Sequence, residues 1–413
     1  MLHYLVFAVF VILLLRKYEK TAILIAALAC WLSLFRDPLK SVNNLSTTLS
    51  LLIALWGIIK YFRRLREVPF LWCIVPVLVS YLATMNAHGY YPKQFLVIIA
   101  QYMFPCILYC IINSKERVNY FVKCASGLLI LASLYCLFEE IISANPIMHW
   151  CENHTDSFTW LHDRTEHRFG IKRAQSFFSC ESAFGITCTY AFLVFFTFMR
   201  DNAQIMQVKW RKSLIFLLPL CVFLTGTRSI IICFLIACIS LMTAQTIRKY
   251  RFPLIAIALV LVLFMGSYFS SIYDSIFIDS TELGGSSSDM REGQWDIAFY
   301  YMAQDFWVGN GINFTGNLLN NGGEEGLFGA EGMWLPVMMD RGMIGVICTL
   351  ASFILGLMEI LKRKQFILVW IWVSFLLMKT ITTGVGVEPT YYEVILVVLF
   401  RYKEFKKDIT IRV

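Results

Sequence analysis

Residues Leu214 to Ile239 read LIFLLPLCVFLTGTRSIIICFLIACI, two strongly apolar runs joined by Thr225-Gly226-Thr227-Arg228-Ser229. A guanidinium at the centre of a membrane helix costs about 2.5–3.5 kcal/mol on insertion scales, so an arginine there is paired, interfacial or functional. The Thr-Gly-Thr triplet favours a break between two spans. Arg228 then sits in a very short turn at the N-terminus of the next helix. That terminus presents unpaired N–H groups, and the arginine adds positive charge to the same spot, which makes an anion site. The same residue reads equally as a snorkelling arginine at a hairpin tip, in contact with lipid headgroups.

The pattern of this stretch recurs along the chain. Of 413 residues 58% are hydrophobic and 15% charged, and the apolar residues arrive in blocks of roughly 15–20 that match bilayer thickness. A soluble fold would have to hide every block while keeping 34 Phe, 19 Tyr and 11 Trp from water, which a chain of this size cannot arrange. The composition therefore predicts an all-α polytopic membrane protein with about 12–13 transmembrane helices, a single integral membrane domain over residues 1–413. Candidate spans lie near 1–15, 21–35, 46–62, 69–85, 95–113, 120–143, 182–199, 213–224, 229–245, 253–270, 333–358, 366–380 and 387–400. The first block has no basic region before it and no small-residue cleavage site after it, so it reads as a membrane helix and not as a removed signal. Most of the 13 cysteines lie inside apolar blocks and read as packing residues.

Basic clusters separate alternate spans, at Arg16–Lys20, Lys60–Arg66, Lys115–Arg117, Lys209–Lys212, Arg248–Arg251, Lys362–Lys364 and the tail from Arg401. Placing them on one side, with Lys123 and Arg200, gathers 25 of the 36 Lys and Arg. By the positive-inside rule that side is cytoplasmic. The net charge of +8 is then a topology signal, and no nucleic-acid partner is needed to explain it.

The same topology puts two long polar segments outside, 144–181 and 271–332. Long loops on a rigid scaffold carry function or are disordered. The first holds His149, His154, His162 and His167 with Cys151, Asp156, Asp163 and Glu166; their spacing matches no common zinc site. Cys151 and Cys180 face the oxidising side and are candidates for a disulfide. In the second loop Trp295, Ala298, Phe299, Met302 and Phe306 fall at helical spacing behind Asp289 and Glu292 as an N-terminal pair. This predicts an amphipathic helix on the outer membrane surface with Arg291 in its first turn. Glu139, Glu140 and Glu181 read as ordinary interfacial carboxylates, with pairing to the loop arginines as the alternative.

Taken in order, Arg173-Ala-Gln-Ser-Phe-Phe, Thr225-Gly-Thr-Arg-Ser229, Arg291-x-x-x-Trp295 leading to Gly309-Asn-Gly311, and Glu331-Gly-Met-Trp-Leu335 followed by Asp340-Arg-Gly342 and Gly345 resemble the bacterial O-antigen polymerase (Wzy) and O-antigen ligase superfamily. The resemblance covers about residues 168–345. It implies transfer of a glycan from undecaprenyl diphosphate to a sugar hydroxyl at the outer face of the bacterial cytoplasmic membrane. Where ligases of this family carry His-Asn, the His being their proposed general base, this chain has Glu331-Gly332, a departure that favours polymerase.

The chemistry agrees independently. The leaving diphosphate must have its charge neutralised as the glycosidic carbon becomes cation-like, and arginines at helix ends supply this with neither metal nor nucleotide cofactor. The chain contains no Walker A loop, no D-x-D and no H-E-x-x-H. The expected diphosphate ligands are Arg173, Arg228 and Arg291, with Arg168 and Arg341 next; each has an alternative reading as a headgroup contact or loop ion pair. Arg291 is also a catalytic candidate, through the charge that develops on the leaving group. Glu331 is the candidate general base, or a hydrogen-bond partner of the incoming sugar. The partners implied are an undecaprenyl-diphosphate-linked oligosaccharide, membrane lipid and a separate chain-length-regulating co-polymerase. The competing functions are ligation of glycan to lipid A-core and flipping of the lipid-linked oligosaccharide. The last predicts an internal repeat and broken helices at the midplane, and neither is evident in the sequence.

Overall fold

The computed structural model describes residues 2–35, 44–154, 167–168, 171–201, 203–242, 287–322, 325–327, 330, 332–382 and 396–405. Its helices are α1 Leu2–Leu32, α2 Leu45–Leu65, α3 Ile74–His88, α4 Pro92–Ile111, α5 Lys115–Ile142, α6 Pro146–His154, α7 Glu181–Arg200, α8 Lys209–Leu224, α9 Arg228–Ile239, α10 Ser287–Gln304, α11 Phe314–Asn320, α12 Trp334–Lys362, α13 Phe366–Thr382 and α14 396–405. Two strands of two residues, β1 His167–Arg168 and β2 Ile171–Lys172, pair antiparallel within the first long loop. The all-α membrane architecture read from composition is what the chain adopts. Among the described residues six helices are long and apolar enough to cross a membrane, and two more, Arg228–Ile239 and Leu368–Ile381, are apolar but shorter. The expected span near 253–270 lies outside the described residues.

Local chemistry sets the ends of these helices. Asn44 caps α2, its Oδ1 accepting from Thr47 N at 2.9 Å, and Arg63 and Arg64 occupy the last turn, where cations favour the carbonyl end. Ser114 caps α5 and Cys180 caps α7. The first two expected spans are one run, α1, interrupted only at Lys17 (φ −141°, ψ 59°). Eight residues of straight helix span about 12 Å, yet Thr21 Oγ1 donates to Leu13 O at 3.0 Å, so α1 bends sharply there. The RKYEK segment has no glycine or proline and keeps its helical hydrogen bonding on either side of that one residue.

The chain divides into two compact units. The first comprises residues 1–74, 91–234 and 387–413; in it α2 packs on α4, α1 on α2 and α5, and α8 on α5 and α7. Gly57 of α2 makes the α2–α4 approach close, since a Cβ there would stand 2.3 Å from Ile107 Cγ2. At the basic end of this unit Glu19 binds Lys60 at 3.2 Å and also Tyr61 and Arg117. Partial burial by itself raises the Glu19 carboxyl; the hydrogen bonds from Tyr61 and Lys60 and the Arg117 charge outweigh it, leaving its pKa below the usual carboxylate value. A depressed pKa contributes stability above the unfolded value that is lost as pH falls through the folded one. Glu19→Gln is therefore expected to lower the melting temperature in detergent at neutral pH and to narrow its difference from wild type under acid. Parallel melting curves at every pH would contradict the assignment.

The second unit comprises 75–90 and 235–386, where α12 packs against α10, α11 and α13. On α12 the exposed residues Ile347, Leu350, Ile354, Met358 and Leu361 form one stripe, a face suited to acyl chains and too large for water. The amphipathic helix of the second loop is present as α10, but it begins at Ser287, so Asp289 and Glu292 lie inside it and Arg291 is its fifth residue. Of the expected apolar face, Ala298 and Met302 are buried beside Gln294, while Trp295, Phe299 and Phe306 are exposed. The aromatic side of this helix is thus the outward one, and the packed side is lined by smaller residues.

Candidate functional site

In the first unit the chain from Lys172 to Glu181 enters α7 through a set of buried polar contacts. Lys172 Nζ lies 2.7 Å from Glu139 Oε1, with both side chains fully buried. The other carboxylate oxygen of Glu139 accepts from Ser176 N at 2.7 Å, Ser176 Oγ donates to Ala132 O at 2.9 Å, and Asn145 Nδ2 donates to Ser176 O at 2.7 Å. This fixes Ser176 at φ +53°, a left-handed conformation that costs a serine free energy unless neighbours hold it. Glu139 and Glu181 are therefore partners of Lys172 and Arg173, not ordinary interfacial carboxylates, because a charge buried this deeply must be paired.

Arg173 is 6% exposed, ion-paired to Glu181, and donates through NH2 to Thr227 Oγ1 at 3.3 Å. Next to it Ala174 N donates to Leu224 O at 3.1 Å. The entry segment is thereby pinned to the turn between α8 and α9. That turn has the expected form: α8 ends at Leu224, Gly226 takes φ +60°, and Thr227 O accepts from Ile230 N and Ile231 N at 3.1 Å each. Arg228 is consequently the first residue of α9, half-buried, with its own N–H outside the helical ladder. Helix α9 is 12 residues, about 18 Å, which is less than a full crossing.

In the second unit α12 is broken at Gly342 (φ 59°, ψ −156°). The break frees carbonyls on one side and N–H groups on the other, and the 305–311 loop takes both. Asn310 N donates to Met339 O at 2.9 Å and Gly311 N to Asp340 O at 3.2 Å, while Met343 N donates to Phe306 O at 2.8 Å and Ile344 N to Trp307 O at 3.0 Å. The Gly-Asn-Gly and Asp-Arg-Gly segments, separate in the sequence, are two halves of one junction. Asp340 Oδ1 accepts from Thr315 N and Oγ1 at 2.8 and 2.6 Å. Arg341, 7% exposed, donates to Ser80 Oγ at 2.9 Å and stacks 4.4 Å over the Tyr81 ring. Sequence reasoning missed Ser80 and Tyr81, whose only signal was a serine and a tyrosine adjacent within an apolar helix.

The remaining candidates are more scattered. Arg291 is exposed on α10. Arg168 lies in β1, paired in register with Ile171. Glu331 lies outside the described residues; its neighbour Gly332 (φ +97°) lets the chain pass so close to α13 that a Cβ would stand 2.2 Å from Thr380 O. Met333 N then donates to Lys379 O at 2.8 Å and Trp334 Nε1 to Thr380 Oγ1 at 3.0 Å. The side chains of Cys151, His154, His162 and His167 also lie outside the described residues; no metal-binding group of His, Cys, Asp or Glu occurs among those described.

Fold and site together define a multi-pass membrane protein whose arginines gather at helix ends and at one broken helix. Residues 213–350 match the family Wzy_C, O-antigen ligase, which supports the Wzy/O-antigen ligase superfamily and, with it, a glycosyl-transfer enzyme of O-antigen processing at the level common to polymerases and ligases. The match takes in Arg228, Arg291, Glu331 and Arg341 and leaves Arg168 and Arg173 before it. No curated protein matches the chain, and no solved structure does.

Proposed function

We propose that the chain is a polysaccharide polymerase, which transfers a growing undecaprenyl-diphosphate-linked glycan onto the next lipid-linked repeat unit at the periplasmic face of the bacterial inner membrane. The observation that carries this reading is the contact of Arg173 with Thr227: two motif segments more than fifty residues apart meet beside Arg228. A half-buried arginine at the first position of a helix adds a full charge to the positive end of the helix dipole, the arrangement that suits a diphosphate. In this proposal Arg228 and Arg291, and Arg168 with them, supply charge to the leaving group. Arg173 and Arg341 are already engaged by Glu181 and Ser80 and hold the turn and the helix break in place, sharing their guanidinium groups with the diphosphate. Charge neutralisation of this kind needs no metal ion. The incoming sugar meets Glu331, and a separate co-polymerase sets chain length.

The match to an O-antigen ligase family favours ligase as the second reading; the Glu331-Gly332 pair, in place of His-Asn, favours polymerase. Surface glycan separated on a gel tests both, in a strain lacking the gene and complemented with wild type, Arg228→Ala or Arg228→Lys at equal membrane abundance. Wild type is expected to restore a ladder, and both variants are expected to leave a single repeat unit on the core. A deletion strain with core and no repeat at all would transfer the assignment to ligase or flippase, and a normal ladder from Arg228→Ala would remove that residue from the site.

A further inference from the structure

Helix α3 is largely apolar but carries a polar stripe on one face, Ser80, Thr84 and His88, spaced by four residues so that each stands above the last. Each meets a different part of the junction in the second unit. Ser80 Oγ accepts from Arg341, Thr84 Oγ1 donates to Val308 O at 2.8 Å, and His88 Nε2 lies 3.3 Å from Asp305 Oδ2. The loop closes up against the last of these, since a Cβ on Gly311 would stand 3.4 Å from His88 Cβ.

The first two rungs are buried and spent on structure, and the third differs. His88 and Asp305 are 31% and 40% exposed. A half-exposed ion pair is worth about 0–1 kcal/mol, little beside the four backbone hydrogen bonds that already hold the same loop to α12. As a fastener it is nearly redundant. As chemistry it is a usable unit: the Asp305 carboxylate, 3.3 Å from Nε2, favours the tautomer with its proton on that nitrogen and leaves Nδ1 with the lone pair. No described residue occupies that nitrogen. The other charged groups at the junction are Asp340, engaged by Thr315, and Arg341, engaged by Ser80. By the charge bias, α3 leads away from the Lys60–Arg66 cluster, which puts His88 at the outer end of its helix.

We propose that His88, oriented by Asp305, is the general base of this enzyme, a role that rests on the transferase reading above. The hydroxyl oxygen of the acceptor sugar forms the new bond to the anomeric carbon of the donor and gives its proton to His88 Nδ1. The bond from that carbon to the diphosphate oxygen breaks, and its electron pair leaves with the polyprenyl diphosphate. Glu331 then hydrogen-bonds the incoming sugar and does not take the proton.

The test uses the full-length chain in detergent with lipid-linked repeat unit extracted from the deletion strain as donor and acceptor, and follows the rate of lengthening. His88→Gln keeps a donor for Asp305 but has no basic nitrogen lone pair; it is expected to fold normally and lose about 100-fold in rate. His88→Ala is expected to lose as much and to recover part of it with added imidazole, which a purely structural role would not allow. A His88→Gln rate within threefold of wild type overturns the proposal, as does a folded His88→Ala that imidazole fails to rescue. A hundredfold loss confined to Glu331→Gln would give the base to that carboxylate instead. Wild type that lengthens nothing would overturn the transferase reading itself, a result distinct from an active wild type with an active His88→Gln.

Discussion

Gly342→Ala is expected to abolish lengthening of the surface glycan and to reduce the amount of folded protein in the membrane. At φ 59° and ψ −156° the residue occupies backbone space that is essentially reserved for glycine, and a side chain there costs about 1–3 kcal/mol in conformation alone. Space adds to this. A Cβ on Gly342 would stand 2.6 Å from Gly309 N and 2.7 Å from Phe306 O, and both are backbone atoms already committed to the loop that caps the break. Gly309→Ala meets the same obstacle from the other side, with its Cβ 2.4 Å from Arg341 N at φ +70°. Because the two substitutions open one contact, the double variant should be less destabilised than the two single costs together. Gly127→Ala in α5 is the control, since nothing lies within 4 Å of its Cβ; there alanine should be neutral or gain about 0.5–1 kcal/mol. Melting temperature in detergent and quantified membrane abundance are the readouts. A Gly342→Ala protein that melts with wild type would mean that the break in α12 relaxes without loss.

The same residues show how much of this molecule its sequence discloses. The turn at Thr225–Thr227 was legible because a break signal is local: glycine and two threonines between apolar runs need no knowledge of the rest of the chain. The amphipathic helix of the second loop was legible for the same reason, although it starts before the Asp289–Glu292 pair, since helical spacing shows a stripe but not where the helix begins. The break at Gly342 was not legible although Asp340-Arg341-Gly342 interrupts the apolar run, because only the partner loop about thirty residues earlier makes it stable. The α3 stripe was hidden further still. Ser80, Thr84 and His88 look like three unremarked polar residues in a span, and their partners lie more than 200 residues along the chain. The candidate site was thus readable where a motif carries its own geometry, and unreadable where distant backbone supplies it.

The buried pair Glu139–Lys172 gives the second large expected effect. Removing one partner of a fully buried ion pair costs about 3–5 kcal/mol, because the other charge is left uncompensated, and the two sides are not equivalent here. Glu139 also accepts from Ser176 N and Gln175 N, so Lys172→Met leaves a carboxylate that still has two donors. Glu139→Leu takes from Lys172 the carboxylate it touches, leaving Glu140 as a more weakly placed anion, and removes the acceptor of both N–H groups as well, each at about 1–3 kcal/mol. Glu139→Leu should therefore be the more damaging, and adding Lys172→Met to it should improve stability by removing a buried charge that has lost its contact partner. Additive losses in the double variant would show that the pair is not coupled. The order also bears on function, because the pair fixes the chain immediately before Arg173 and the turn it braces. If the pair is a scaffold, the glycan ladder should fade in step with protein abundance across the three variants. A fully abundant Glu139→Leu protein without a ladder would instead move this carboxylate from the scaffold into the chemistry of the site.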